Sequence, residues 1–499
     1  MAIVAGRVNR PRSAALPRRR PPEHTDWSAV PASPLAPAWL EPPADPNALA
    51  AGVWPASTVR DADGALRIAG IAAPELARTY GTPVLIIDEQ EVRRRAASAV
   101  RAFEDAASRH GTQARVYYAG KAFLSTEIAR WVTAEGMRVD VCTGGELAVA
   151  LAAGVRPGLI GFHGNNKSVA ELEDAVAAGV GAIVLDSDIE LERLAAITAR
   201  ADRTQSVLVR VNSDVHAETH HFLATAHEDQ KFGFALEDAE RIVARIRSVP
   251  TLAFAGLHCH IGSQIFGTAG FHESAARLLA VHERLLAGGE VPLLNLGGGF
   301  GIAYTSADQA TPLEELAEGI VEVVADECAA RGIPIPVVAF EPGRSIVGTA
   351  GVTLYEIGTL KDVTVETDAA PAVRRYVSVD GGMSDNARPA LYDAQFSARL
   401  AARRGAGDPQ LVRVVGRHCE SGDVVVDAEY LPSDLAPGDL LAVPATGAYC
   451  QPLSSNYNHV PRPPVVAVRD GAARVIVRGE SIADLLARDA GLDHTEGDR

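Results

Sequence analysis

Eight short apolar runs recur through the middle of this chain, and each gives way to a stretch with helical periodicity. The runs are Val116–Lys121, Val139–Thr143, Leu159–His163, Ala182–Asp186, Val207–Asn212, Ala255–Ile261, Leu293–Gly298 and Val337–Glu341. Between them, Glu146–Ala153, Ser168–Ala178, Glu190–Ala201 and Leu236–Arg247 read as helices, with Ser168 as N-cap and Glu171 completing a capping box. Strand-then-helix units repeated eight times over about 230 residues match the size and rhythm of an α/β (β/α)8 TIM barrel. A doubly wound open sheet is the alternative, but it does not need eight units in series.

The flanks have another texture. Short β-like pieces come first, among them Leu66–Ile68 and Val84–Asp88. After Ala350 strand patterns return at Thr353–Thr359, Arg375–Asp380, Leu411–Val415, Asp423–Val426 and Leu440–Val443, and Asp470-Gly471 marks a hairpin between Val465–Val468 and Arg474–Arg478. A chain of 499 residues exceeds one ordinary core, so two domains are expected. The division expected is a mostly-β domain assembled from residues 51–96 and 350–490, with the barrel at 97–349. Residues 1–50 are rich in Arg and Pro and are expected to form a disordered extension or to lie upstream of the true start. Residues 491–499 are expected to be a flexible tail.

Charge and cysteine usage narrow the function. A net charge of −16 without a basic stripe argues against nucleic-acid binding, and no apolar run reaches the length of a membrane span. The five cysteines are scattered without a C-x-x-C pair, which suits a reducing cytoplasm and builds no zinc site.

Polar residues and glycines collect at the ends of the eight runs, where a barrel builds its active site. Lys121 closes the first run. It is either a lysine snorkelling to solvent or an amine placed to form a Schiff base. Gly297-Gly298-Gly299 ends the seventh and is either a plain loop or a backbone cradle for phosphate. His258 and His260 lie two apart in the sixth run and so share its inner face, with His260 nearer the mouth. No acidic or thiol partner is evident beside them in sequence, so no metal site is expected. Glu341-Pro342-Gly343-Arg344 ends the eighth, where the acid and the arginine either pair or face a cofactor. In the β region, Cys419 beside Glu420 is either an ordinary thiol or a proton donor, and His418 reads as turn packing.

Together these stretches carry a resemblance. Tyr118-Ala119-Gly120-Lys121-Ala122, His260-Ile261-Gly262-Ser263-Gln264, Gly297-Gly298-Gly299, Glu341-Pro342-Gly343-Arg344, Cys419-Glu420-Ser421-Gly422-Asp423 and Gly447-Ala448-Tyr449 resemble the motifs of the diaminopimelate decarboxylases. These are fold type III pyridoxal-phosphate enzymes with an alanine racemase-like barrel. The resemblance spans about Val53 to Leu486; Ala119-Gly120 stands where Ala-Ala or Ala-Val is commoner before the lysine. It implies pyridoxal 5′-phosphate bound through Lys121, with His260 stacked on its ring and Glu341 at its ring nitrogen. Ser263, Gly297, Gly298, Gly299, Pro342, Gly343, Arg344 and Tyr449 would complete the cofactor site. Arg344, Arg388, Tyr392, Glu420 and Tyr449 would meet substrate, and Cys419 would donate a proton. The resemblance further implies a homodimer with shared sites and decarboxylation of meso-2,6-diaminopimelate to L-lysine. Ornithine, arginine or D-amino-acid decarboxylation is the nearest rival. A catalytically dead cofactor carrier and a metal-dependent hydrolase are further ones.

Overall fold

The computed structural model describes residues 33–215, 231–368 and 370–494. Eight parallel strands close into a barrel: β1 Ala114–Ala119, β2 Arg138–Val141, β3 Ile160–Phe162, β4 Ala182–Leu185, β5 Gln205–Asn212, β6 Leu252–His258, β7 Leu293–Asn295 and β8 Val337–Phe340. Each pairs with the next, and β8 returns to β1 through Val338–Ala114 and Phe340–Val116. All eight expected runs are therefore strands, each ending one to three residues before its expected end except at β5. The rim residues emerge from the strands into the turns that follow.

Strand alternation explains what faces where. In β1, Val116 and Tyr118 join the core between strands and helices, whereas Tyr117 turns inward with Ala182, Val184, Leu208, Leu293 and Ala339 to fill the barrel. The same alternation carries Ala119, and Lys121 beyond it, onto the inner side. Capping fixes the helices: Ser168 and Glu171 form the expected box at Val169–Ala178, and Ser187 caps Asp188–Ala201. Such a cap contributes about 1 kcal/mol.

Only the short helix Arg344–Val347 follows β8. The eighth place in the outer ring is taken instead by Glu89–Arg109, which precedes β1 and packs between Leu313–Arg331 and Thr126–Ala134. This helix runs through the boundary expected at residue 97. Asp88 caps it, accepting from the Glu91 N–H at 3.0 Å, so the strand before it flows into the barrel without a loop.

That strand, Val84–Asp88, is buried along its length and lies inside the β domain. It pairs antiparallel with Gly351–Val365 on one side and parallel with Val465–Arg469 on the other. The β domain is thus built from both chain ends. Asp470 and Gly471 both have positive φ, as the expected tight hairpin requires. Leu66–Ile68 pairs within a separate small sheet that packs on the same core. Residues from 33 onward also belong to the folded unit, against the expectation of a disordered extension to 50. Leu40 packs on Leu411, Ala428 and Tyr430, and Asn47 exchanges two hydrogen bonds with the Gly405 backbone. The rest of that extension and the end of the tail, residues 1–32 and 495–499, fall outside the described residues.

Candidate active site

A small cleft opens at the C-terminal mouth of the barrel. Ala119, Lys121, His260, Ser263, Gly298, Gly299, Phe300, Glu341, Gly343, Arg344 and Tyr449 line it. Four different strand ends and the β domain therefore converge on Lys121, which sits in a single turn of 3-10 helix just past β1. Lys121 is open to the solvent of the cleft yet crowded by protein. Desolvation alone would lower its pKa; Tyr449, Asp140, Cys142 and Glu341 outweigh it, and the amine is held protonated above its ordinary value. An amine that is to form a Schiff base must lose its proton before it attacks a carbonyl. In this arrangement the surrounding acids keep it charged.

Glu341 lies at the floor. Burial would raise its carboxyl, but His163 and His258 outweigh this and hold it well below the usual carboxylate range. It accepts from Asn295 Nδ2 at 2.7 Å and bonds His258 Nε2 at 3.1 Å, while His163 Nε2 stands 3.5 Å away. Beside it Asp140 goes the other way: burial first, then the charge on Glu341, push its carboxyl well above normal. Two buried acids in one pocket have split into one ionised and one neutral group. Asp140 Oδ1 is buried without a hydrogen bond.

The acid partner that the sequence did not reveal beside His258 is thus Glu341. His163, His258 and Glu341 lie close enough together to hold a metal ion. In this structure, however, the carboxylate instead accepts a hydrogen bond from Asn295 and bonds the His258 ring.

His260 is held well below its ordinary pKa by burial and by Lys121 and Arg210, so its ring is neutral. Its Nδ1 accepts the Gly298 N–H at 3.3 Å, which ties the ring to the glycine loop. That loop tolerates no side chain. A Cβ at Gly298 would overlap the Glu341 carbonyl oxygen, and one at Gly299 would overlap that of Gly262. The bare backbone edge faces the cleft. Gly298→Ala is expected to displace the loop at a cost of about 1–3 kcal/mol, weakening cofactor binding ten- to a hundredfold or so in reconstitution titrations.

Arg344 closes the opposite wall, donating to Tyr304 Oη at 2.5 Å and Ser263 Oγ at 2.8 Å. Its guanidinium lies 4.7 Å from the Tyr449 ring, and that of Arg388 lies 5.3 Å from the same ring and 5.5 Å from Tyr304. Tyr304, absent from the sequence argument, is with Tyr449 one of two side chains that both arginines share; only its place just after the glycine loop hinted at it. Tyr449 has positive φ and its N–H donates to Ala122 O at 2.7 Å, which fastens the β domain to the lysine turn. Pro342 is buried beside Glu341, and its carbonyl accepts from Ala119 N–H.

Arg388 is buried next to Arg344 although it does not line the cleft, and Tyr392 lies on the Arg388 side, 5.9 Å from its guanidinium. Cys419 and Glu420 are not among the lining residues at all. Both are exposed on a turn of the β domain.

Pyridoxal phosphate fits the residues present. An ionised carboxylate stands at the floor for a ring nitrogen, a neutral imidazole offers a flat face, a side-chain-free loop and Arg344 offer a phosphate cradle, and an amine stands at the wall.

Comparisons with known proteins agree. The family model for the pyridoxal-dependent decarboxylases' pyridoxal binding domain matches residues 90–348. A diaminopimelate decarboxylase of Mycobacterium tuberculosis is 50% identical over 447 residues, covering 88% of this chain and 98% of its own. That of Mycobacterium leprae is 48% identical and covers 93% and 98%. The crystal structure of a diaminopimelate decarboxylase from m. jannaschii in co-complex with L-lysine superposes with a TM-score of 0.80 at 30% identity, covering 87% of this chain and 98% of that one. A lysine/ornithine decarboxylase from Vibrio vulnificus shares the fold, with a TM-score of 0.64 at 24% identity over 80% of this chain and 99% of its own. With its eight-stranded barrel, its lysine cleft and these relatives, the chain belongs to the diaminopimelate decarboxylase family of pyridoxal-dependent decarboxylases.

Proposed function

We propose that this chain removes CO2 from meso-2,6-diaminopimelate and yields L-lysine, using pyridoxal phosphate held through Lys121. The observation that carries the substrate is the pair Arg344 and Arg388, whose guanidiniums flank the Tyr449 and Tyr304 rings beside the cleft. Two arginines there suit a second carboxylate far from the reacting carbon, which ornithine, lysine and arginine lack. The names of the relatives support the same reading.

Bound pyridoxal phosphate supplies an electron sink for the pair left when the Cα–carboxylate bond breaks. The protein does the rest. Glu341, ionised and braced by Asn295 and His258, keeps a proton on the ring nitrogen. His260 presents its neutral face to the ring. Ser263, Gly297, Gly298, Gly299, Gly343, Arg344 and Tyr449 hold the phosphate, with Pro342 shaping that wall. Arg388, Tyr392 and Glu420 read the distal end of the substrate, Arg344 and Tyr449 assist, and Cys419 returns a proton to the α-carbon.

Cys419 and Glu420 are exposed and do not line their own chain's cleft. This favours a homodimer in which each subunit's Cys419 turn completes the other's site. Among the described residues no helix is long and apolar enough to cross a membrane, and the five free cysteines suit the cytoplasm, where we place the enzyme. The test is CO2 release from meso-diaminopimelate, ornithine, lysine and arginine. The expected preference for diaminopimelate is on the order of a hundredfold or more in kcat/KM; equal or better turnover of ornithine or arginine would sink the assignment.

A further inference from the structure

The turn that carries Cys419 and Glu420 has an unusual support. Beneath it His418 is buried, its side chain sealed from solvent, with Asp423 buried against it. The Asp423 carboxylate accepts three hydrogen bonds: from His418 N–H at 2.7 Å, from His418 Nδ1 at 3.0 Å and from Met383 N–H at 2.6 Å. Two glycines make room for it. A Cβ at Gly416 or at Gly382 would overlap the carboxylate, and the one at Gly382 would also come within 2.8 Å of His418 Nδ1. The imidazole stacks on Tyr457, 5.7 Å away and 14° from parallel. From the same strip, Asn458 Oδ1 accepts the Cys419 N–H at 3.0 Å, and Tyr457 Oη donates to Glu420 at 3.4 Å.

The donor pattern settles what kind of help this is. Nδ1 faces a carboxylate, and Nε2 is buried without any partner. The Cys419 sulfur is therefore not hydrogen-bonded to the ring, and the Asp–His–Cys order in space is no proton relay. The other end of the clamp matters equally. Met383 begins the loop in which Asp385 accepts the Gly382 N–H at 2.7 Å and Asn386 Oδ1 accepts the Arg388 N–H at 3.3 Å. One carboxylate thus ties the Cys419 turn to the segment that launches Arg388.

We propose that His418 and Asp423 are positioning residues: a buried imidazole–carboxylate pair that fixes Cys419 and Glu420, which serve the partner subunit's site, on the segment that carries Arg388 of their own subunit's site, so that the donor turn is held rigid where it enters the partner. This rests on the roles of Cys419 and Glu420 proposed above. A loosened turn lowers the rate of protonation without touching the cofactor, because none of the clamp residues lines the cleft.

The test compares holoenzymes of His418→Phe, His418→Asn, Cys419→Ala and the double variant Cys419→Ala/His418→Phe, assayed with meso-diaminopimelate. His418→Phe keeps a ring on Tyr457 but loses the bond to Asp423, and is expected to lower kcat on the order of tenfold or more with the Schiff-base absorption band unchanged. His418→Asn restores a donor near Nδ1 and should recover most of that loss. The double variant should show a kcat no lower than Cys419→Ala alone, because His418 acts on the protonation step only through the thiol's placement, whereas displacement of Glu420 is read in KM. Multiplying losses in the double variant, or an undiminished rate in His418→Phe, overturns the proposal. A wild-type rate in Cys419→Ala overturns the donor role of Cys419 itself, and the clamp's purpose with it. If His418→Phe does not fold, Asp423→Asn, which keeps the shape and drops the charge, takes its place in the same comparison.

Discussion

Lys121→Ala loses the Schiff-base absorption band and its CO2 release falls by on the order of a thousandfold or more. The loss is expected to be that large because no second amine stands ready. Lys121 is the lysine that lines the cleft. Lys167, buried at the rim nearby, is pinned by Gly164 O and Val184 O at 2.7 Å each and by Glu190 at 2.5 Å. Its three donors are spent, so it cannot swing across. The fold should survive, since the Lys121 side chain projects into open space and its removal leaves no void in the core. Comparing absorption spectra, thermal midpoints and CO2 release checks all three parts; full activity in Lys121→Ala would sink the mechanism.

Mixing Lys121→Ala with Cys419→Ala protein restores activity to two preparations that are each nearly inactive. If every site draws its lysine from one subunit and its thiol from the other, half of the reassorted dimers are mixed. Each mixed dimer holds one site with both native residues and one with neither. Equal amounts should then reach about a quarter of wild-type activity. If each site is made within one chain, no mixture contains a native site and activity stays at the sum of the two parents. The exposed position of Cys419 and Glu420, away from the cleft of their own chain, is what favours the first outcome. Mixing must follow dissociation or co-expression, since subunits that never exchange would give the same low value.

Much of this was legible in the sequence because barrels write their geometry locally. The eight strands follow from apolar runs alone, and a period of two predicts that Lys121 and His260 share the inner surface. The Asp470-Gly471 hairpin and the Ser168 capping box are equally local. What escaped depends on chain segments far apart. The neutral Asp140 beside the ionised Glu341, with His163 between them, joins three strand ends whose residues look unremarkable singly. Tyr304 gains meaning only when Arg344 and Arg388 are seen on the same two rings. His418 looked like turn packing until Asp423 was found to reach both it and Met383. The Leu35–Leu40 region was hidden for a different reason: its proline-rich composition imitates a disordered arm, yet a few apolar contacts suffice to seat it.

The place of Val84–Asp88 also bears on how the molecule comes into being. Its two sheet neighbours are made long after it, Gly351–Val365 once the barrel strands have been made and Val465–Arg469 later still. On the ribosome the strand therefore emerges before either of its sheet partners has been made. The helix Glu89–Arg109, joined to it without a loop, belongs to the barrel's outer ring and so fixes the strand to the barrel's edge. The strands that follow the barrel then complete the β sheet over that edge, so the cleft gains its Tyr449 wall only after all eight barrel strands have been made.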